Sequence, residues 1–175
     1  MTGEIFLHAS GVQLVPGAVI LPGNFGRVIL GTGVTHKLYK REILLEETRR
    51  KHFPEKPSRL RSCFVCPTFE DMDWFFRNHF YGCACYEVQL LQSTAPRHLA
   101  FVSCLPSDKS KPFYPDEEMA YFYWAGVWPE KLGELPRAQE LIVSSPLKIL
   151  DRYPSEFDIA SNNAWANLQA RLDQE

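Results

Sequence analysis

His8 and Ser10 stand two residues apart in an apolar run near the start of the chain. On a strand, such a pair shares one face, so an imidazole and a hydroxyl can address the same ligand. Glu140 opens the apolar run Glu140-Leu-Ile-Val143, where the plain reading of a carboxylate is a solvated strand end. Cys63-x-x-Cys66 and Cys83-x-Cys85 offer four thiolates, enough for one zinc ion. A strand would point Cys63 and Cys66 to opposite faces, and Cys-x-Cys is an unusual zinc spacing. We therefore expect no metal and read these cysteines as small buried hydrophobes.

Other chemistries lack their simplest support. The chain has no Gly-x-Ser-x-Gly elbow, no phosphate-binding loop of the Walker type and no His-Glu-x-x-His pair. Gly31-Thr-Gly33 approaches a dinucleotide fingerprint, but the third glycine position is His36, and no clean βαβ unit surrounds it. A formal charge of -2 and a pI near 6.2 give no overall basic field, so nothing points to nucleic acid. No apolar run is long enough for a membrane span, and the opening Met-Thr-Gly-Glu has no basic leader segment, so a cytoplasmic protein is expected. Five cysteines and no glycosylation sequon agree with reduced thiols.

The elements that must position these residues follow from periodicity. With 175 residues, 45% of them hydrophobic, the chain suits one domain spanning 1–175. Twelve Phe, seven Tyr and four Trp suit a dense core or a pocket that stacks planar ligands. Short runs at Ile5–Leu7, Ala18–Leu21 and Val28–Leu30, punctuated by glycine, read as strands. His36–Phe53 is rich in charge, carries Leu38 and Leu45 two turns apart, and stops at Pro54; it reads as a surface helix with a narrow buried stripe. Ser62–Pro67 reads as a strand. Thr68 with Asp71 caps a helix that faces Met72, Phe75, Phe76 and Phe80 inward. Further strands are expected at Cys85–Leu91, His98–Ser103, Glu140–Val143 and Pro146–Leu150, with helices from Asp116 to Val127 and from Ser155 onward, the last burying Trp165, Leu168 and Leu172. Seven or eight strands and about four helices without β-α-β alternation predict an α+β domain with two small split antiparallel sheets and a central cleft.

Three segments in order carry a resemblance. Phe6-Leu-His8-Ala-Ser10 with Leu14-Val-Pro-Gly17 and Ile20-Leu-Pro-Gly23 resembles the opening of the histidine-type ADP-ribosyltransferases, with Phe, Ala and Ser where that family has Tyr, Gly and Thr. Ser62–Thr68 and the aromatic helix after it resemble that family's central strand and helix, Phe64 and Phe75 standing where the polymerase-like members carry tyrosines. Glu140-Leu-Ile-Val-Ser-Ser-Pro146 resembles the strand that bears the catalytic glutamate. The layout, with Arg61-Ser-Cys-Phe-Val, Tyr86-Glu-Val and Tyr121–Gly126, is also similar to the bacterial domain family DUF2441, identified as a member of the same superfamily.

The resemblance implies an enzyme that consumes NAD as substrate, breaks the nicotinamide-ribose bond and passes ADP-ribose to an unknown macromolecular or small-molecule acceptor, or to water. His8 would bond the adenosine-side ribose and Ser10 the adjoining region. Phe64 and Phe75 would sandwich nicotinamide, without the hydroxyls of the family's tyrosines. Glu140 would hold the nicotinamide-ribose 2'-hydroxyl and offset developing positive charge, with His8 as the other catalytic residue. Arg27 or Arg61 would meet the diphosphate. Ala138 stands where arginine-modifying relatives carry Glu or Gln, which disfavours an arginine acceptor; Trp128 and Arg137 lie in the loop that would meet the target. A toxin or effector role is one expectation. The alternatives are a degenerate domain that binds NAD, ADP-ribose or a protein without chemistry, and an interaction domain whose cysteines hold zinc.

Overall fold

The computed structural model describes residues 4–78, 83–106 and 114–153. Phe80 and the helix expected from Ser155 lie outside the described residues. The first strand, β1 (Ile5–Ser10), pairs antiparallel with β4 (Ala84–Leu90), placing His8 opposite Tyr86. Beyond β4 come β7 (Leu147–Arg152) and the two-residue β2 (Val19–Ile20), giving a four-stranded sheet in the order β1-β4-β7-β2. A second sheet, in the order β3-β6-β5, contains β3 (Cys63–Val65), β5 (Arg97–Phe101) and β6 (Gln139–Val143), all neighbours antiparallel. The sheets meet where β1 and the end of β3 exchange two backbone bonds between Leu7 and Cys66, 3.0 and 2.8 Å long.

Phe6, Tyr86, Val88 and Ile149 of the first sheet pack against Cys63, Val65, Leu141 and Val143 of the second, so the alternation of each strand buries one face of each sheet against the other. The opposite face of β6 and β5 presents Ile142 and Ala100 to helices α2 (Tyr39–His52) and α4 (Asp116–Ala125), where Leu45, Tyr123 and Trp124 complete a second cluster. A third cluster joins Leu7 and Cys85 to Met72, Phe75 and Phe76 of α3 (Phe69–Asn78). Emptying such a site, as in Phe76→Ala, costs about 3–5 kcal/mol. The architecture is α+β, with two small antiparallel sheets and four α-helices among the described residues.

Two local expectations need correction. Val28–Leu30 is not a strand: it lies in helix α1 (Asn24–Thr32), which buries Gly26 and Ile29, three positions apart, and exposes Val28 and Leu30. Gly26 permits this, because a Cβ there would stand 1.9 Å from the carbonyl oxygen of Leu60. Helix α2 begins at Tyr39 rather than His36, and its inward face is not an apolar stripe, since Glu42 and Glu46 are buried beside Leu45. The Thr68 cap is present: its Oγ1 accepts the Asp71 N–H at 3.2 Å and donates to the Asp71 carboxylate at 2.6 Å.

Candidate functional site

A cleft of about 450 Å³ opens beside the seam where β1 meets the end of β3, within the size range of small-molecule sites. Its walls come from β1 (Leu7, His8, Ala9), β3 and its end (Phe64, Val65, Cys66), α3 (Met72, Phe75) and β6 (Glu140), with Phe25 of α1 and the start of α2 at the edge. Glu140 reaches it because β6 alternates. Leu141 and Val143 face the packed interior, while Glu140 and Ile142 face the α2 and α4 side.

Glu140 is 6% exposed, so its carboxylate must be paired. One oxygen, Oε1, accepts from Arg59 Nη1 at 2.5 Å and from the Tyr123 hydroxyl at 2.8 Å. Arg59, from the 3₁₀ turn Arg59–Arg61, also donates through Nη1 to the Tyr123 oxygen and through Nε to Glu42 at 2.9 Å. Its guanidinium lies 4.6 Å from the Phe64 ring centre and 5.1 Å from that of Tyr123. Burial alone would lower the pKa of Arg59; the charges of Glu140 and Glu42 reverse this and hold the guanidinium well above its ordinary range. Burial raises the Tyr123 phenol far above its usual value, so it remains a donor.

His8 Nδ1 stands 2.9 Å from the Phe64 carbonyl oxygen. A carbonyl only accepts, so Nδ1 carries the hydrogen and Nε2 keeps its lone pair. Burial lowers the His8 pKa and the bond to Phe64 offsets this only in part, which keeps the ring neutral. Phe64 meets Phe25 edge to face at 5.3 Å, and Phe75 meets Trp74 the same way at 5.4 Å. Cys66 also lines the cleft. Burial, with the nearby charges of Glu140 and Asp71, drives its thiol well above the ordinary range, which leaves it protonated and poorly nucleophilic.

Of the residues singled out from the sequence, His8, Phe64, Phe75 and Glu140 share this cleft. Ser10 does not line it; its hydroxyl closes a turn with Val12. Arg27 is exposed and bonds the Asn24 side chain, and exposed Arg61 is likewise not a wall residue. The cations that do line it are Lys37, Arg41 and Arg59, which sequence reasoning passed over. A signal existed: a glutamate at position 42, on the face of Leu38 and Leu45, demands a buried cation. The cysteines divide among the three clusters, and among the described residues no group of three or more His, Cys, Asp or Glu can hold a metal ion. Among the described residues no helix is long and apolar enough to cross a membrane.

Comparison with curated proteins finds no match to the chain. Residues 26–155 match the model of a family described as a protein of unknown function, DUF2441. The matched segment contains Arg59, Phe64, Phe75 and Glu140, whereas β1 with His8 and Ser10 precedes it. The match covers most of the sequence, and the chain belongs to the DUF2441 family.

Proposed function

We propose that the chain is an NAD-dependent ADP-ribosyltransferase of the histidine type, acting on an unidentified acceptor or on water. One observation carries this reading: His8, Phe64, Phe75 and Glu140, singled out from three separate sequence segments, line a single cleft. In the reaction the bond from the ribose C1' to the nicotinamide nitrogen breaks, its electron pair leaves with nicotinamide, and the acceptor attacks the resulting oxocarbenium-like carbon. The protein's task is to orient the sugar and oppose the developing positive charge.

Both oxygens of Glu140 have work in this scheme. Oε1 is held by Arg59 and Tyr123, and Oε2, without a partner among the described residues, accepts the ribose 2'-hydroxyl. His8 Nε2 accepts from the adenosine-side ribose. Phe64 and Phe75 both line the cleft where nicotinamide would stack, the Phe64 ring also meeting Arg59 and Phe25 and the Phe75 ring also meeting Trp74. Lys37 and Arg41 at the cleft edge replace Arg27 and Arg61 as partners for the diphosphate. Ala138, buried just before β6, argues against an arginine acceptor, and the Arg137 guanidinium lies 5.1 Å from the Trp128 ring centre in the loop on the target side. We place the enzyme in the cytoplasm, which its unpaired cysteines support, and infer a toxin or effector role for it.

A second reading is a domain that binds NAD or ADP-ribose without cleaving it. The engagement of Glu140 by a buried arginine favours it, because a neutralised carboxylate opposes less positive charge. Free nicotinamide measured after incubation with NAD separates the two. Release above the uncatalysed rate supports transfer or hydrolysis, and ADP-ribose binding without release supports the second reading.

A further inference from the structure

We propose that Arg59 is the positioning residue of the cleft, turning Glu140 so that Oε2 faces the ligand; this rests on the transferase reading above. The Arg59 and Tyr123 donors converge on one oxygen of Glu140, while the other oxygen has no partner among the described residues. A carboxylate merely satisfied by its surroundings has no reason to divide its bonds so unevenly. Arg59 is itself fixed by several partners: Nε bonds Glu42 of α2, Nη1 bonds β6 and α4, and the guanidinium carbon lies 4.6 Å from the Phe64 ring centre and 5.1 Å from that of Tyr123. Glu42 is in turn held by Arg41, whose Nε and Nη2 donate to the carboxylate oxygen that Arg59 does not use, at 3.0 and 2.7 Å. The chain of alternating charge from Arg41 through Glu42 and Arg59 to Glu140 therefore runs from the cleft edge to its interior. Since a buried ion pair is weak evidence for stability in itself, fixing a carboxylate geometry is a sufficient reason for this one.

Lysine cannot reproduce the arrangement, because its point charge lacks the planar fork that reaches Glu42 and Glu140 together. The test is Arg59→Lys, measured for nicotinamide release from NAD and by crystallography. In folded protein, kcat is expected to fall about 10- to 100-fold, the scale of a misplacement near 1 Å, while KM for NAD stays within about threefold. The crystal structure is expected to show the Glu140 carboxylate displaced from Tyr123. Wild-type kcat in folded R59K, or an unmoved Glu140, overturns the positioning role. If R59K does not fold, the double variant E42Q/R59Q removes the Arg59–Glu42 pair together, leaves Glu140 held by Tyr123 alone, and carries the same expectation for kcat. A wild-type protein that releases no nicotinamide sinks the transferase reading alone, and the position of Glu140 in the variant crystal then decides the role of Arg59.

Discussion

Glu42 and Glu46 stand one turn apart on α2, both buried and both bonded to two arginines, yet they do different work. Glu46 finds its cations on its own helix, Arg49 and Arg50 at 2.9 and 3.0 Å, and accepts the Ser58 hydroxyl at 2.8 Å. Arg49 also donates to the carbonyls of Pro54 and Lys56, so this network ties down the loop that follows the helix. Glu42 instead takes Arg59 from 17 residues away, and through it reaches Glu140, a further 81 positions along the chain. The local network shapes a loop; the long-range one shapes the cleft wall, although that loop delivers Arg59.

The largest break in this comparison is Arg59→Leu, which strands parts of two buried carboxylates and is expected to cost about 3–5 kcal/mol in urea denaturation. A loss under about 1 kcal/mol would mean that the cluster is solvated. Next, Glu42→Gln should cost about 2 kcal/mol, the scale of hydrogen bonds to buried charged groups. Glu46→Gln should cost less, about 1 kcal/mol, because its pair with Arg50, 68% exposed, is screened and the glutamine keeps a carbonyl oxygen to accept from Arg49. Equal losses, or the reverse order, would erase the distinction between the two glutamates.

Acid titration sharpens the same contrast by a smaller effect. Burial would raise the pKa of Glu42, but the charges of Arg59 and Arg41 outweigh it and hold the carboxyl below its ordinary value. Glu46 is also held low, burial being outweighed by its bonds to Arg49 and Ser58. For both, the folded state favours the charged form, so the stabilisation is present above the ordinary carboxylate range and lost as pH falls through the lower folded values. Two histidines give a separate stage: burial depresses both His8 and His98 below 6.5, His98 to about 4, so the unfolded chain protonates first and stability declines as pH falls below 6.5. Calorimetry from pH 8 to 3 should show both stages in wild type. Glu42→Gln should flatten the lower stage and leave the upper one; loss of the upper stage instead would contradict its assignment to the buried histidines His8 and His98.

Much of the fold was legible because it depends on short-range pattern. The Thr68-x-x-Asp71 cap, the aromatic face of α3 and the apolar runs of β4 and β6 are each set within a few residues, and the structure follows them. Val28–Leu30 misled because its run of branched residues resembles a strand, and the contact that settles the matter, Gly26 against Leu60, spans 34 positions. In the site, His8, Phe64, Phe75 and Glu140 came from order and resemblance, whereas Arg59 had no local mark. Its role exists only when α2, α4 and β6 close around it, and burial of glutamate on α2 was the sole trace in the sequence.

The most direct test of the account is nicotinamide release from NAD by wild type and Glu140→Gln, with Glu118→Gln on the exposed side of α4 as control. The substitution keeps the shape of Glu140 and removes its charge, so the loss belongs mainly to the transition state. Turnover should fall by about two orders of magnitude or more, with NAD affinity within a few-fold and the control unchanged. Wild-type release in Glu140→Gln, or its loss in Glu118→Gln instead, would contradict the assignment of the cleft.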